Sequence, residues 1–220
     1  MQLVDRIEKR RFIGREFLLW LWFESEVFEA TLSSKEHGSF GLWIEKELVL
    51  SAGKETTRIK GSTPAHAREA KEGLSLGKLP ERATLHVSLG DRDATFALKA
   101  ESMAIAAMSL PTVLSDGDEA APGELGAAPA RRPRMRRTTV EEDREREADM
   151  AVEQLHERMM LAREMERLLE ELYRDFLGLR LSDAWTSLVR PAIAAWAAGK
   201  KVDAERYRAG RARALSRKKK

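Results

Sequence analysis

Hydrophobic and polar positions change rhythm several times along the 220-residue chain, and each rhythm predicts a different element. The densest apolar run, Phe17-Leu18-Leu19-Trp20-Leu21-Trp22-Phe23 within Arg11–Glu26, has no polar side, so packed structure must surround it. β-Branched residues are absent after Ile13, and charges flank the run at Arg15-Glu16 and at Glu24 and Glu26. That combination predicts a short buried helix rather than a strand. The charged lead-in Val4–Arg11 is expected to be exposed. A period of two then takes over. Val27–Leu32 alternates as a strand, and Lys35-Glu36-His37-Gly38 makes a turn. Ser39–Ser51 reads as a hairpin, with Phe40, Leu42 and Ile44 on one arm and Leu48 and Leu50 on the other, and the more polar strand Glu55–Lys60 follows.

Thr63-Pro64 opens a helix that runs to about Leu76, with Ser62 or Thr63 as N-cap and Gly77 as its stop. Ala83–Leu89 and Ala94–Ala100 alternate on either side of Gly90-Asp91-Arg92-Asp93, a hairpin with a four-residue connection. Met103–Leu110 closes this unit as a strand or short helix. Residues 112–138 shift to Asp, Gly, Ala and Pro, then to Arg, which is the composition of a disordered linker. Thr139–Gly178 carries the stripe Ala148, Val152, Leu155, Met159, Ala162, Met165, Leu169, Leu172, Phe176 at helical spacing. Such a helix would span roughly 55–60 Å, longer than a small domain, so it either projects or pairs. Ser182–Gly199 is a second helix, capped by Ser182, bent at Pro191 and anchored by Trp185, Leu188, Ile193 and Trp196. Lys200–Lys220 is a basic tail, helical if bound and frayed if free.

The expected fold is therefore α+β. Residues 1–111 form a small antiparallel sheet with a buried apolar helix and one packing helix. The linker 112–138, a helical region 139–199 built as a long-helix hairpin, and the tail 200–220 follow.

Composition narrows the chemistry. Hydrophobic residues make up 43% of the chain and charged ones 34%, enough for a real core in one or two domains. With no cysteine there is no disulfide framework, thiolate zinc site or cysteine nucleophile. Met1-Gln2-Leu3-Val4-Asp5-Arg6 leads into charges rather than an apolar signal region, and no segment suits a membrane span, so a cytoplasmic protein is expected. The net charge of +3 conceals a segregation: acids crowd Ser115–Glu124 and Glu141–Asp149, bases Arg131–Arg137 and Lys200–Lys220.

The four histidines, His37, His66, His86 and His156, sit apart without helical metal-site spacing, and there is no phosphate loop or nucleophile elbow. Neither an enzyme nor a bound metal or cofactor is expected. The functional candidates are basic instead. Arg131, Arg132, Arg134, Arg136 and Arg137 form one cluster. The other comprises Lys200, Lys201, Arg206, Arg208, Arg211, Arg213, Arg217, Lys218, Lys219 and Lys220, faced in the tail only by Asp203 and Glu205. Guanidinium and ammonium groups at this density suit phosphate contacts, and Lys54, Arg58, Lys60, Arg68 and Lys71 could add to them. Solubility alone is the rival explanation. The tail lacks the bulky apolar face that would insert into a membrane. The stripe on the long helix suggests a coiled-coil seam and a homodimer. Trp20 and Trp22 belong to the core, having no wet face. A protein-interaction module whose long helix docks a partner is the alternative to double-stranded DNA binding.

The segment Phe12-Ile13-Gly14-Arg15-Glu16-Phe17-Leu18-Leu19-Trp20-Leu21-Trp22-Phe23 resembles one found in the recombination-associated RdgC family. The likeness continues through Gly41–Leu50, Ile59-Lys60-Gly61, the helix from Pro64 to Gly77, the hairpin Arg82–Leu98 and Leu177–Trp185. It implies a nucleoid-associated protein that binds duplex DNA with little sequence preference, forms a ring-shaped homodimer with a positively charged channel, and restrains RecA-driven recombination without catalysis. Family members carry a substantial region ahead of the apolar helix, whereas about ten residues precede it here, which leaves ring closure open. The two basic segments match no motif of the family.

Overall fold

The computed structural model describes the backbone of residues 3–110 and 140–216 and the side chains of 13–110 and 149–216. Helix α1 (Leu3–Val27) is followed by strands β1 (Thr31–Ser34), β2 (Gly38–Ala52) and β3 (Glu55–Gly61). A 3₁₀ turn (Pro64–His66) then leads to helix α2 (Arg68–Ser75) and strands β4 (Leu79–Leu89), β5 (Arg92–Lys99) and β6 (Ile105–Ser109). Beyond residue 139 come helix α3 (Val140–Arg180), a π-helical turn (Trp185–Val189), α4 (Arg190–Ala197) and α5 (Ala204–Ser216). The result is a mixed fold with one antiparallel sheet, as expected in outline.

The sheet runs β1-β2-β4-β5-β6, and β3 joins β2 on the same edge as β1. The expected hairpin within Ser39–Ser51 is instead this one long strand, β2. Its polar centre, Glu45-Lys46-Glu47, imitates a turn in sequence. In space it is a bulge: Lys46 takes φ +63°, and the three residues of β2 between Ile44 and Leu48 oppose the single residue of β4 between Leu85 and Ala83. Three other boundaries move. α1 extends through Val27, and Phe28-Glu29-Ala30 turns the chain, with Ala30 N–H bonding the Ser25 carbonyl at 2.7 Å, so β1 is only Thr31–Ser34. The β4–β5 connection shrinks from four residues to Gly90-Asp91, with Gly90 at φ +67°. The helix expected from Thr63 is broken at Ala67, which is extended, and Thr63 makes no side-chain cap. Its stop is as expected: Gly77 (φ +78°) lets Lys78 N–H reach the Gly73 carbonyl at 3.0 Å.

The apolar run of α1 is covered on both sides, which explains why it has no polar face. Phe17, Trp20, Leu21, Trp22 and Phe23 have no exposed surface. On one side lies the inner face of the sheet, with Leu42, Leu48, Leu50, Leu85, Phe96 and Leu98; on the other lie the C-terminal helices. Phe17 meets Tyr173 and Phe176 of α3, Trp22 meets Trp196 of α4 edge-on, and Phe23 meets Tyr207 of α5 edge-on. Glu26, at the end of the run, ties three helices: its carboxylate accepts bonds from Trp22 Nε1 (2.6 Å), Trp196 Nε1 (2.8 Å) and Lys71 Nζ (2.8 Å). Gly14 sits so close to the sheet that a Cβ would fall 1.9 Å from the Ala100 carbonyl oxygen.

The C-terminal segments meet α3 at its last turns. Trp185 packs edge-on against Phe176, Arg211 reaches Asp175, and Leu215 lies beside Gly178. The irregularity expected at Pro191 is a π-helical turn just ahead of it, closed by Arg190 N–H to the Trp185 carbonyl. From Leu161 onward the stripe of α3 enters the core through Leu161, Met165, Leu168, Leu172 and Phe176, whereas residues 149–160 are all exposed. No helix among the described residues is long and apolar enough to cross a membrane.

Candidate nucleic-acid interface

Helix α5 carries the described part of the basic tail, and the core fixes its orientation. Asp203 opens it, its Oδ1 accepting the Arg206 N–H at 2.9 Å. One face is bound inward. Tyr207 donates its hydroxyl to Glu24 Oε1 at 2.7 Å, Arg211 Nη1 lies 2.9 Å from Glu24 Oε2, and Arg211 Nη2 lies 3.6 Å from Asp175. Gly210 is needed where α5 crosses Leu188, since a Cβ there would come within 2.6 Å of that side chain. Glu24 is wholly buried on α1, and burial raises its pKa above the usual carboxylate range against the opposing pull of Arg211 and Tyr207. Burial beside that carboxyl likewise pushes the Tyr207 phenol far up.

Arg211 is therefore a correction to the expected phosphate-contacting set. It is 8% exposed, because a carboxylate buried in an aromatic core requires a cation, and Arg211 supplies it. The remaining described members face solvent. Arg206 and Arg213, seven residues apart, share one ridge of α5 opposite the anchored face. Arg208 is exposed on a different side of α5 from that ridge, toward the β1–β2 turn, its guanidinium 3.0 Å from Glu205 and 4.8 Å from the Phe28 ring. Lys200 and Lys201 follow the α4 stop, where Gly199 (φ +72°) allows Lys200 N–H to bond the Ala195 carbonyl at 2.9 Å. Arg131, Arg132, Arg134, Arg136 and Arg137, like Arg217, Lys218, Lys219 and Lys220, lie outside the described residues.

The supplementary cations divide. Lys54 and Lys60 are exposed, with no carboxylate partner among the described residues. Arg58 is bonded to Glu47, which Arg82 approaches at 3.5 Å, and Arg68 pairs with Glu72 one helical turn on at 2.6 Å. Lys71 is spent on structure. Its ammonium sits 3.6 Å from the centre of the Trp196 ring while bonding Glu26, and burial pushes its pKa down against that carboxylate's pull.

The β1–β2 turn, legible in sequence only as a turn, stands beside α5. Glu171 of α3 fixes it by accepting the N–H groups of Lys35 (2.6 Å) and Glu36 (3.4 Å), with His37 Nδ1 3.5 Å away. Burial pushes this carboxyl up, but the hydrogen bonds from the Lys35 N–H, the Ser34 hydroxyl, the Glu36 N–H and His37 together outweigh it and hold the pKa below the usual range. His86 stacks on its cross-strand partner Trp43 at 4.1 Å and bonds Glu45 at 2.8 Å. Among the described residues no three potential ligands gather as a metal site. The chain matches no family model, no curated protein and no solved structure.

Proposed function

We propose that this protein is a non-catalytic, largely sequence-independent binder of double-stranded DNA. On this reading it works at the nucleoid and modulates RecA-dependent recombination, a role carried by the likeness to the RdgC family. The observation that supports DNA binding is the one-sidedness of α5. Tyr207 and Arg211 hold one face in the core, so Arg206 and Arg213 stand together toward solvent on a helix whose orientation is fixed, with Lys200 and Lys201 exposed in the segment ahead of it. A preordered row of guanidinium groups contacts phosphates without first losing the conformational freedom of a frayed tail. The test is fluorescence anisotropy with two unrelated labelled duplexes, titrated from low to physiological salt. Both should bind alike, and affinity should fall with a steep log–log slope. Absence of binding at low salt would refute the reading.

A second reading has its own support. Val152, Leu155 and Met159 on α3 are 67%, 59% and 49% exposed, a stripe at helical spacing that water covers poorly. A second copy of the chain pairing along this stripe would double the basic surface and raise avidity for a duplex. Sedimentation of the full chain checks this: Leu155→Glu should convert a dimer to a monomer.

A further inference from the structure

The β1–β2 turn and α5 enclose a cavity of about 320 Å³, at the bottom of the roughly 300–1,000 Å³ range of clefts that take small ligands. Its charged lining comes from three elements: Lys35 from the turn, Arg208 and Arg211 from α5, and Asp175 from α3. Three cations thus face one carboxylate. Asp175 is committed to Arg211, and Arg211 also serves Glu24, so this buried pair forms the floor. Arg211 Nε has no hydrogen-bond acceptor among the described residues. At the rim, the Lys35 ammonium has no carboxylate partner among the described residues, and the carboxylate partner of Arg208 is the exposed Glu205, a pairing that an anion can readily replace. Ser33 adds a hydroxyl donor.

The walls are held from one place. Glu171 and Asp175 lie one turn apart on α3; the first fixes the backbone of the turn that bears Lys35, and the second fixes Arg211. The backbone that bears Lys35 and the Arg211 floor are therefore held in place, and the Lys35 and Arg208 side chains extend from fixed points.

We infer that this cavity seats one phosphate group, a phosphodiester of a bound duplex or a free phosphomonoester, between Lys35 and Arg208. The duplex source rests on the reading of α5 as a DNA-contacting ridge; the phosphate seat itself does not. Two groups from different elements gripping one anion would fix the angle at which a duplex crosses α5, which the ridge alone leaves free.

The experiment is an amide chemical-shift titration of the full chain with inorganic phosphate and, separately, with an unlabelled duplex, repeated on Lys35→Glu. Both ligands should move the Ser33, Ser34, Lys35 and Ala212 amides in the native chain and leave them unmoved in the variant. The variant should also lower the log–log salt slope of duplex binding by about one. If phosphate moves these amides and a duplex binds nowhere, the seat stands with a free phosphomonoester as its ligand, and the DNA reading falls. If the duplex moves the Arg206 and Arg213 amides but not Ser33–Lys35, the seat is refuted and the DNA reading stands. If neither ligand moves any amide, both are refuted.

Discussion

Helix α5 and the first half of α3 exchange the roles their sequences suggest. α5 is written as a charged tail, yet Tyr207 and Arg211 lock it into the centre of the molecule. The described start of α3 carries the apolar stripe Val152, Leu155, Met159, yet residues 149–160 are exposed. A segment's own composition thus decides less than whether a complementary surface waits for it. α5 finds Glu24, a buried carboxylate that requires a cation; the first half of α3 finds nothing among the described residues.

The sharpest way to break this comparison is at Arg211. Arg211→Ala leaves Glu24 buried without its cation and should cost about 3–5 kcal/mol in urea denaturation. Replacing both partners, Glu24→Leu with Arg211→Met, should recover most of that loss. Equal losses in the single and double variants would mean that the pair is not what anchors α5. The same consideration alters the design of DNA-binding controls: deleting Lys200–Lys220 removes core contacts as well as charge, so charge must be reversed on the exposed ridge instead.

A smaller contrast runs along α3. Leu168→Ala, in the buried half, should cost about 2–5 kcal/mol, whereas Leu155→Ala should stay within about 0.5 kcal/mol in the monomer. A large loss at Leu155 that depends on protein concentration would show that a partner chain covers the stripe. Smaller again is a pH effect at the turn. The Glu171 pKa is depressed in the folded state, so its contribution to stability is full above the ordinary glutamate value of about 4.3 and is lost as pH falls through the lower folded value. Glu171→Gln should flatten the acid limb of stability against pH below that range. An unchanged acid limb would contradict the role given to the turn's hydrogen bonds.

Much of the inner layer was legible because few arrangements could satisfy it. A run apolar on all sides had to be enclosed, and the alternation of Ala83–Leu89 against Ala94–Ala100 fixed a strand pair whose register brings Leu85 opposite Phe96. What misled was local. Glu45-Lys46-Glu47 carries the polarity of a turn but serves as a bulge: β3 pairs with Lys46 and Glu47 on one edge, while β4 skips residues 45–47 on the other and resumes at Leu48. What stayed hidden was distant. Glu24 and Tyr207 lie 183 residues apart, and nothing near Arg211 distinguishes it from its basic neighbours except its place on the face shared with Tyr207. Lys35 gave no signal, since its neighbourhood to α5 arises only when Glu171 docks the turn on α3.

The most direct measurement is duplex affinity at low salt for Arg206→Glu/Arg213→Glu against the native chain, with urea midpoints taken in parallel. The midpoints should be unchanged, because both side chains are exposed, while affinity should fall at least about tenfold, with a shallower salt slope, for unrelated duplexes alike. Native-like affinity in a stably folded double variant would contradict this and remove α5 from the interface.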